Sequence, residues 1–137
     1  MAFIVEKRPH AAAPIKTTVL NAKGEPVVID FVALYQRHSH ADLVKMQNGF
    51  INRGRLAHGQ DLIPGENGEP PAEAPYATDA DLIKSEMKGW LGVEDENGAT
   101  LSFTPSTPAD LLRDYPELVV PLVNGFFEAH KEAAQKN

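Results

Sequence analysis

At 137 residues the chain has the length of one domain and can bury a core of its own, and with no cysteine it excludes disulfides, thiolate metal sites and a cysteine nucleophile. A net charge of -6 argues against a protein whose main task is neutralising phosphates, so nucleic acid is not an expected partner. No apolar run reaches the roughly eighteen residues of a bilayer span, and MAFIVEKRPHAAAPIK places its charges after the apolar stretch, so a soluble protein made without export and without a membrane partner is expected.

The first element offered is FIVEK, a short strand at Phe3 to Lys7 that Pro9, the Ala11 to Ala13 run and Pro14 interrupt; residues 1–14 read as a loosely held arm. From Ile15 to Tyr35, β-branched and aromatic residues flank Lys23-Gly24, which is a hairpin signal because glycine supplies the positive φ of the turn. Both faces of the second strand carry apolar groups except at Asp30, so one face should meet helices and the other be partly covered. Ser39 and Asp42 form a relative of the capping box, and Leu43, Met46 and Phe50 continue as a helical stripe ending near Gly54. Residues 54–77, rich in glycine and proline, read as a long surface loop.

Thr78 and Asp81 repeat the capping pattern before Leu82, Ile83, Met87 and Trp90, which share one helical face, so Trp90 reads first as the end of an amphipathic helix. Asn97-Gly98 marks a hairpin or a compact β-turn inside the acidic stretch Asp95-Glu96-Asn97-Gly98. Thr107 is a third cap with Pro108 at the first helical position, and Leu111, Leu112 and Tyr115 complete a short helix that Pro116 stops or restarts. Leu118, Val119, Leu122, Val123, Phe126 and Phe127 then form the cleanest amphipathic helix, in which Pro121 is either a kink or part of the first turn. The expected fold is α+β: one domain over residues 1–137, an N-terminal β-hairpin packed on about four α-helices, with helix exceeding strand.

Catalytic chemistry finds little purchase. His38 and His40 with Asp42 have the residue types of a metal site, but the cap at Ser39 turns the two rings apart. The acidic turn lacks the first and last oxygen ligands of a calcium loop, which leaves a solvated tip. Asp110, Asp114 and the carboxylates at 94–96 read as solvating or capping groups, and Arg53, Arg55 and His58 as a small basic cluster beside the loop. Neither a nucleophile elbow nor a phosphate-cradling glycine loop occurs, so no enzyme, metal or cofactor is expected. What remains is apolar: Trp90, Phe50 and the Phe126-Phe127 pair read first as core, while the excess apolar surface of the final helix around Leu122, Phe126 and Phe127 is the expected protein-binding or self-association face.

Several of these segments together resemble a family. The FVALYQRHSHADL segment, a helix, a loop, and a helix leading into Trp90-Leu91-Gly92-Val93 precede Asp95-Glu96-Asn97-Gly98, LSFT, the Thr107-Pro108 cap and the final helix. This order is similar to that of the tail assembly chaperones of long-tailed bacteriophages and prophages. The resemblance covers most of the chain and is strongest from Leu82 to Phe127, with residues 54–77 standing as an insertion. It implies a non-catalytic protein in the host bacterial cytoplasm that binds the tape measure protein, helps recruit tail tube subunits, self-associates as a homo-oligomer, and is absent from the mature virion. The residues themselves suggest structural roles for Trp90, Gly92, Asp95, Asn97 and Gly98, with Trp90 expected to anchor the acidic turn against the helices and the turn to fix the angle between the middle and final helices. Family members are often extended by ribosomal frameshifting, and Gln135-Lys136-Asn137 permits a slippery A AAA AAC. The alternative is a small tail or head-completion subunit retained in the particle.

Overall fold

The computed structural model describes residues 2–131, so the codons of Gln135-Lys136-Asn137 concern a segment outside the described residues. The fold is α+β, with a three-stranded antiparallel sheet, the hairpin at its N-terminal end, and four α-helices.

Strands β1 (His10–Leu20) and β2 (Pro26–Gln36) pair along their whole length, from His10 opposite Gln36 to Leu20 opposite Pro26. Gly24, at φ 77°, makes the turn, and Asn21 Oδ1 accepts the amides of Lys23 and Glu25. The strand begins earlier than the sequence suggests: Phe3 to Lys7 is not a strand, and the arm ends at Pro9 rather than at Pro14. Two features explain it. Ala11 and Ala13 are small enough to lie beneath the last helix, and Pro14 is tolerated because β1 is an edge strand.

Helix α1 (His40–Ala57) starts where Ser39 Oγ accepts the Asp42 amide at 3.2 Å, and it runs past Gly54. Leu43 is buried, while Met46 and Phe50 pack against the core from its margin. Helix α2 (Asp79–Glu86) is capped in the same way by Thr78 Oγ1 on the Asp81 amide.

The helix expected to reach Trp90 stops at Glu86, and Met87–Leu91 is strand β3, paired with β2. Met87 faces Tyr35, and Gly89, Trp90 and Leu91 face Leu34, Ala33 and Val32; the register slips between Leu34 and Tyr35, leaving Lys88 as the extra residue of a bulge. Leu82, Ile83, Met87 and Trp90 fit a helical period, but unpaired backbone on β2 offers the segment a hydrogen-bonding ladder that a longer helix would forgo.

Helix α3 (Thr107–Asp114) has buried Pro108 in its first turn, but Thr107 is its first residue rather than its cap. The Thr107 hydroxyl accepts the Thr104 amide instead. A 3-10 turn, Pro116–Leu118, leads into α4 (Val119–Ala129), where Pro121 lies in the first turn and so removes no intrahelical bond.

The helices cover one face of the sheet. Helix α4 crosses β1 so closely that a Cβ on Gly125 would lie 2.7 Å from Ile15 Cδ1 and 2.9 Å from the Tyr35 hydroxyl. Leu122 and Phe126 are consequently 0% exposed, and Phe127 is half-buried against Phe50. This corrects the expected binding face: the apolar stripe of the final helix is what closes the core, and what α4 shows to solvent includes Val120, Asn124 and Glu128.

Candidate functional site

The acidic turn is a self-contained piece of turn chemistry. Asp95 Oδ1 accepts the amides of Asn97 and Ala99, the Asp95 amide donates to Ala99 O, and Gly98 takes φ 80°. One bridge, Glu94 to Thr100, closes it, after Gly92 at φ 82° has turned the chain out of β3. Trp90 ties the returning segment down: its Nε1 donates to Leu101 O at 2.9 Å, and its ring lies edge-to-face between Phe31 and Phe103, with centroids 6.4 and 5.6 Å away. Thus Trp90 anchors the turn, against β2 rather than against helices.

Beside this anchor lies a groove of about 500 Å³ between β2 and α3. Ile29, Phe31, Trp90, Leu111 and Leu118 give it an apolar lining, and Glu94, Asp110 and Asp114 border it with carboxylates. Arg113 is the basic counterpart, 3.2 Å from Asp110 and 3.4 Å from Asp114 in exposed pairs. Because β3 pairs with β2 only from Val32 to Tyr35, the stretch of β2 from Val27 to Phe31 has no strand on this side among the described residues.

The sheet's other face is a second surface. Register puts Pro14, Val32 and Leu91 side by side across three strands, with Ala12 and Leu34 in the next row and Thr18 with Val28 beyond. Leu20, Val28 and Leu91 are 64%, 58% and 57% exposed, one row is the charged pair Lys16 opposite Asp30, and the bulge residue Lys88 of β3 is exposed as well. Apolar area gathered in this way marks a protein-contact surface more often than chance exposure does.

A third feature escaped sequence reasoning because its members come from four separate segments. His38 Nε2 donates to Glu86 Oε1 at 2.5 Å, the Tyr76 hydroxyl donates to Glu86 Oε2, and the His38 amide donates to His130 Nε2 at 3.2 Å. His130 Nδ1 donates to Phe126 O at 2.8 Å, so its two bonds require a neutral ring with the proton on Nδ1. Burial holds the His130 pKa below its usual value, with His38 and Arg37 adding to the effect and the Phe126 carbonyl and Glu86 opposing it. Burial, with the hydrogen bond and charge of Glu86, pushes the Tyr76 phenol up to about 12. Nearby, the buried Tyr35 hydroxyl donates to Leu122 O at 2.7 Å, and burial raises its pKa strongly. The network ties the end of β2, the long loop, α2 and α4 to one another, with both Glu86 oxygens already engaged.

The polar residues of α1 beside the long loop, among them the nominated Arg53 and Arg55, are structural in their contacts. Asn52 bridges Ile63 and Ala72, accepting the Ile63 amide at 2.7 Å and donating to Ala72 O at 3.0 Å. Arg53 donates to the carbonyls of Tyr76 and Ala77 and pairs with Asp79, while Arg55 donates to Asp61 O. Arg53 and Arg55 thus strap the 58–78 segment onto α1, and Gly49 lets the Glu73 carbonyl approach within 2.4 Å of where a Cβ would be. His38 is turned to Glu86 and does not join His40 and Asp42 around a common centre; among the described residues no group of three or more His, Asp or Glu is placed to hold a metal ion. No described helix is long and apolar enough to cross a membrane.

Comparison with protein-family models, curated proteins and solved structures finds no match.

Proposed function

We propose that this chain is a non-catalytic tail assembly chaperone of a long-tailed phage or prophage, acting in the host cytoplasm, which holds the tape measure protein and helps recruit tail tube subunits. The observation that supports this reading is the uncovered face of the sheet, where Leu20, Val28 and Leu91 are exposed around Pro14, Val32 and Leu34. A partner that is a long helix with an apolar stripe needs a surface of this kind, with apolar rows across the strands, and the acidic remainder of the protein keeps it in solution until the partner arrives.

The test is co-expression with the tape measure protein encoded in the same tail gene cluster. Affinity capture of one should bring the other, and the Val28→Lys, Leu91→Lys double variant should lose capture while keeping its melting temperature, because both side chains point away from the core. Mass spectrometry of purified particles should find the chain absent. Its presence at stoichiometric level, with no tape measure binding, would establish instead a small structural subunit retained in the particle.

A further inference from the structure

We propose that the groove between β2 and α3 receives the N-terminal arm of a second copy of this chain, laid along the open edge of β2 at Val27–Phe31. Two features, remote from each other in one molecule, fit together. The arm is in neither helix nor strand, with Phe3, Ile4 and Val5 exposed at 88%, 80% and 81%, followed by the basic pair Lys7 and Arg8. The groove has an apolar lining, a strand edge with no neighbour among the described residues, and a border of Glu94, Asp110 and Asp114.

Strand geometry sets how the arm seats. In an extended segment Phe3, Val5 and Lys7 share a face, so Phe3 and Val5 enter the apolar groove while Lys7 follows toward the carboxylates. Backbone amides and carbonyls of the arm supply the ladder that β3 ceases to supply beyond Val32.

The donor is another molecule because Phe3 and Val5 lie too few residues from the root of the arm for both to reach the groove of their own chain. Arg37, next to Gln36, holds Arg8 O and His10 O, which fixes the root of the arm at the far end of β2. From Gln36 to Phe31 is about 17 Å along the strand. The five residues from Arg8 to Phe3 extend at most about 18 Å. An arm that must also cross to the other side of β2 therefore brings no more than its tip to the groove of its own molecule. In trans, Phe3 and Val5 can both be seated.

The experiment uses the full-length protein. Sedimentation velocity should show self-association that weakens with added salt and whose dissociation constant rises at least about a hundredfold in the Phe3→Asp, Val5→Asp variant, which removes two seated apolar side chains. Those residues are exposed in the single chain, so at concentrations where wild type is monomeric the two should melt at the same temperature, and at higher concentration only wild type should gain in melting temperature. Lys7→Glu with Arg8→Glu should weaken association, and combining it with Asp110→Lys and Asp114→Lys should restore it. Since the chain has no native cysteine, mixing two differently tagged proteins, one Val5→Cys and one Leu111→Cys, gives an unambiguous readout. A disulfide joining the two tags supports arm exchange. A monomer at all concentrations, an oligomer indifferent to Phe3→Asp, Val5→Asp, or no joined tags from an associating wild type would overturn it.

Discussion

Replacing Trp90 is the most direct probe of what holds the acidic turn in place. Truncating a fully buried tryptophan costs about 3 to 5 kcal/mol. Trp90 is only half-buried, so its contribution is better built from its contacts. The edge-to-face pairs with Phe31 and Phe103 are worth about 0.5 to 1.5 kcal/mol each. The Nε1 bond to Leu101 O contributes about 1 kcal/mol net, and because Leu101 is exposed its carbonyl can turn to water when the donor is lost. Trp90→Ala should therefore cost about 2 to 4 kcal/mol, and Trp90→Phe, which retains a ring but no donor, about 1 kcal/mol. At this chain length each kcal/mol moves the melting temperature by roughly 4 °C, so circular dichroism melts resolve the two variants. Urea unfolding gives the same quantity independently, and hydrogen exchange should locate the loss at the amides of Asp95 and Leu101, which bond across the turn. If Trp90→Ala lay within about 0.5 kcal/mol of wild type, the range of an ordinary surface substitution, Trp90 would not be the anchor.

Other substitutions test other joints. Gly125→Ala should destabilise by about 1 to 2 kcal/mol in urea titration, since the overpacking against Ile15 and Tyr35 outweighs the gain in helix propensity. Asn52→Ala leaves the Ile63 amide and the Ala72 carbonyl without their partner, and should cost about 2 kcal/mol while speeding limited proteolysis within residues 58–78. His130 gives a pH dependence of defined sign. Its pKa is lowered in the folded state from 6.5, so between the two values the unfolded chain binds more protons and stability rises with pH. Stability is thus full above about 6.5 and falls as pH drops through the lowered value, and the urea midpoint should decline over that interval in wild type but less in His130→Gln.

Local signals along the chain carried much of the architecture. The hairpin around Gly24, the caps at Ser39 and Thr78, and the turn at Asn97-Gly98 depend on the chemistry of a few adjacent residues, so they can be read before anything is known of their neighbours. The amphipathic last helix was equally plain, since six apolar residues from Leu118 to Phe127 keep a single period. Whether that stripe faced inward or outward was a different matter. Only its close crossing of β1, permitted by Gly125, shows that Leu122 and Phe126 are core rather than a docking face.

The same division runs through Met87–Leu91 and the polar network. Met87 and Trp90 satisfy a helical period, yet strand pairing needs a partner distant in sequence, and the open edge of β2 at Val32–Tyr35 decided the competition. His38, Tyr76, Glu86 and His130 show no common pattern in the sequence, because a hydrogen-bonded cluster has no periodicity when each member is delivered by a different element. By itself, then, the sequence determined the elements whose energetics are local: turns, caps and one amphipathic period. The tertiary structure decided which apolar face is buried, which segment becomes the third strand, and which side of the sheet is left open, since each depends on contacts between residues far apart along the chain.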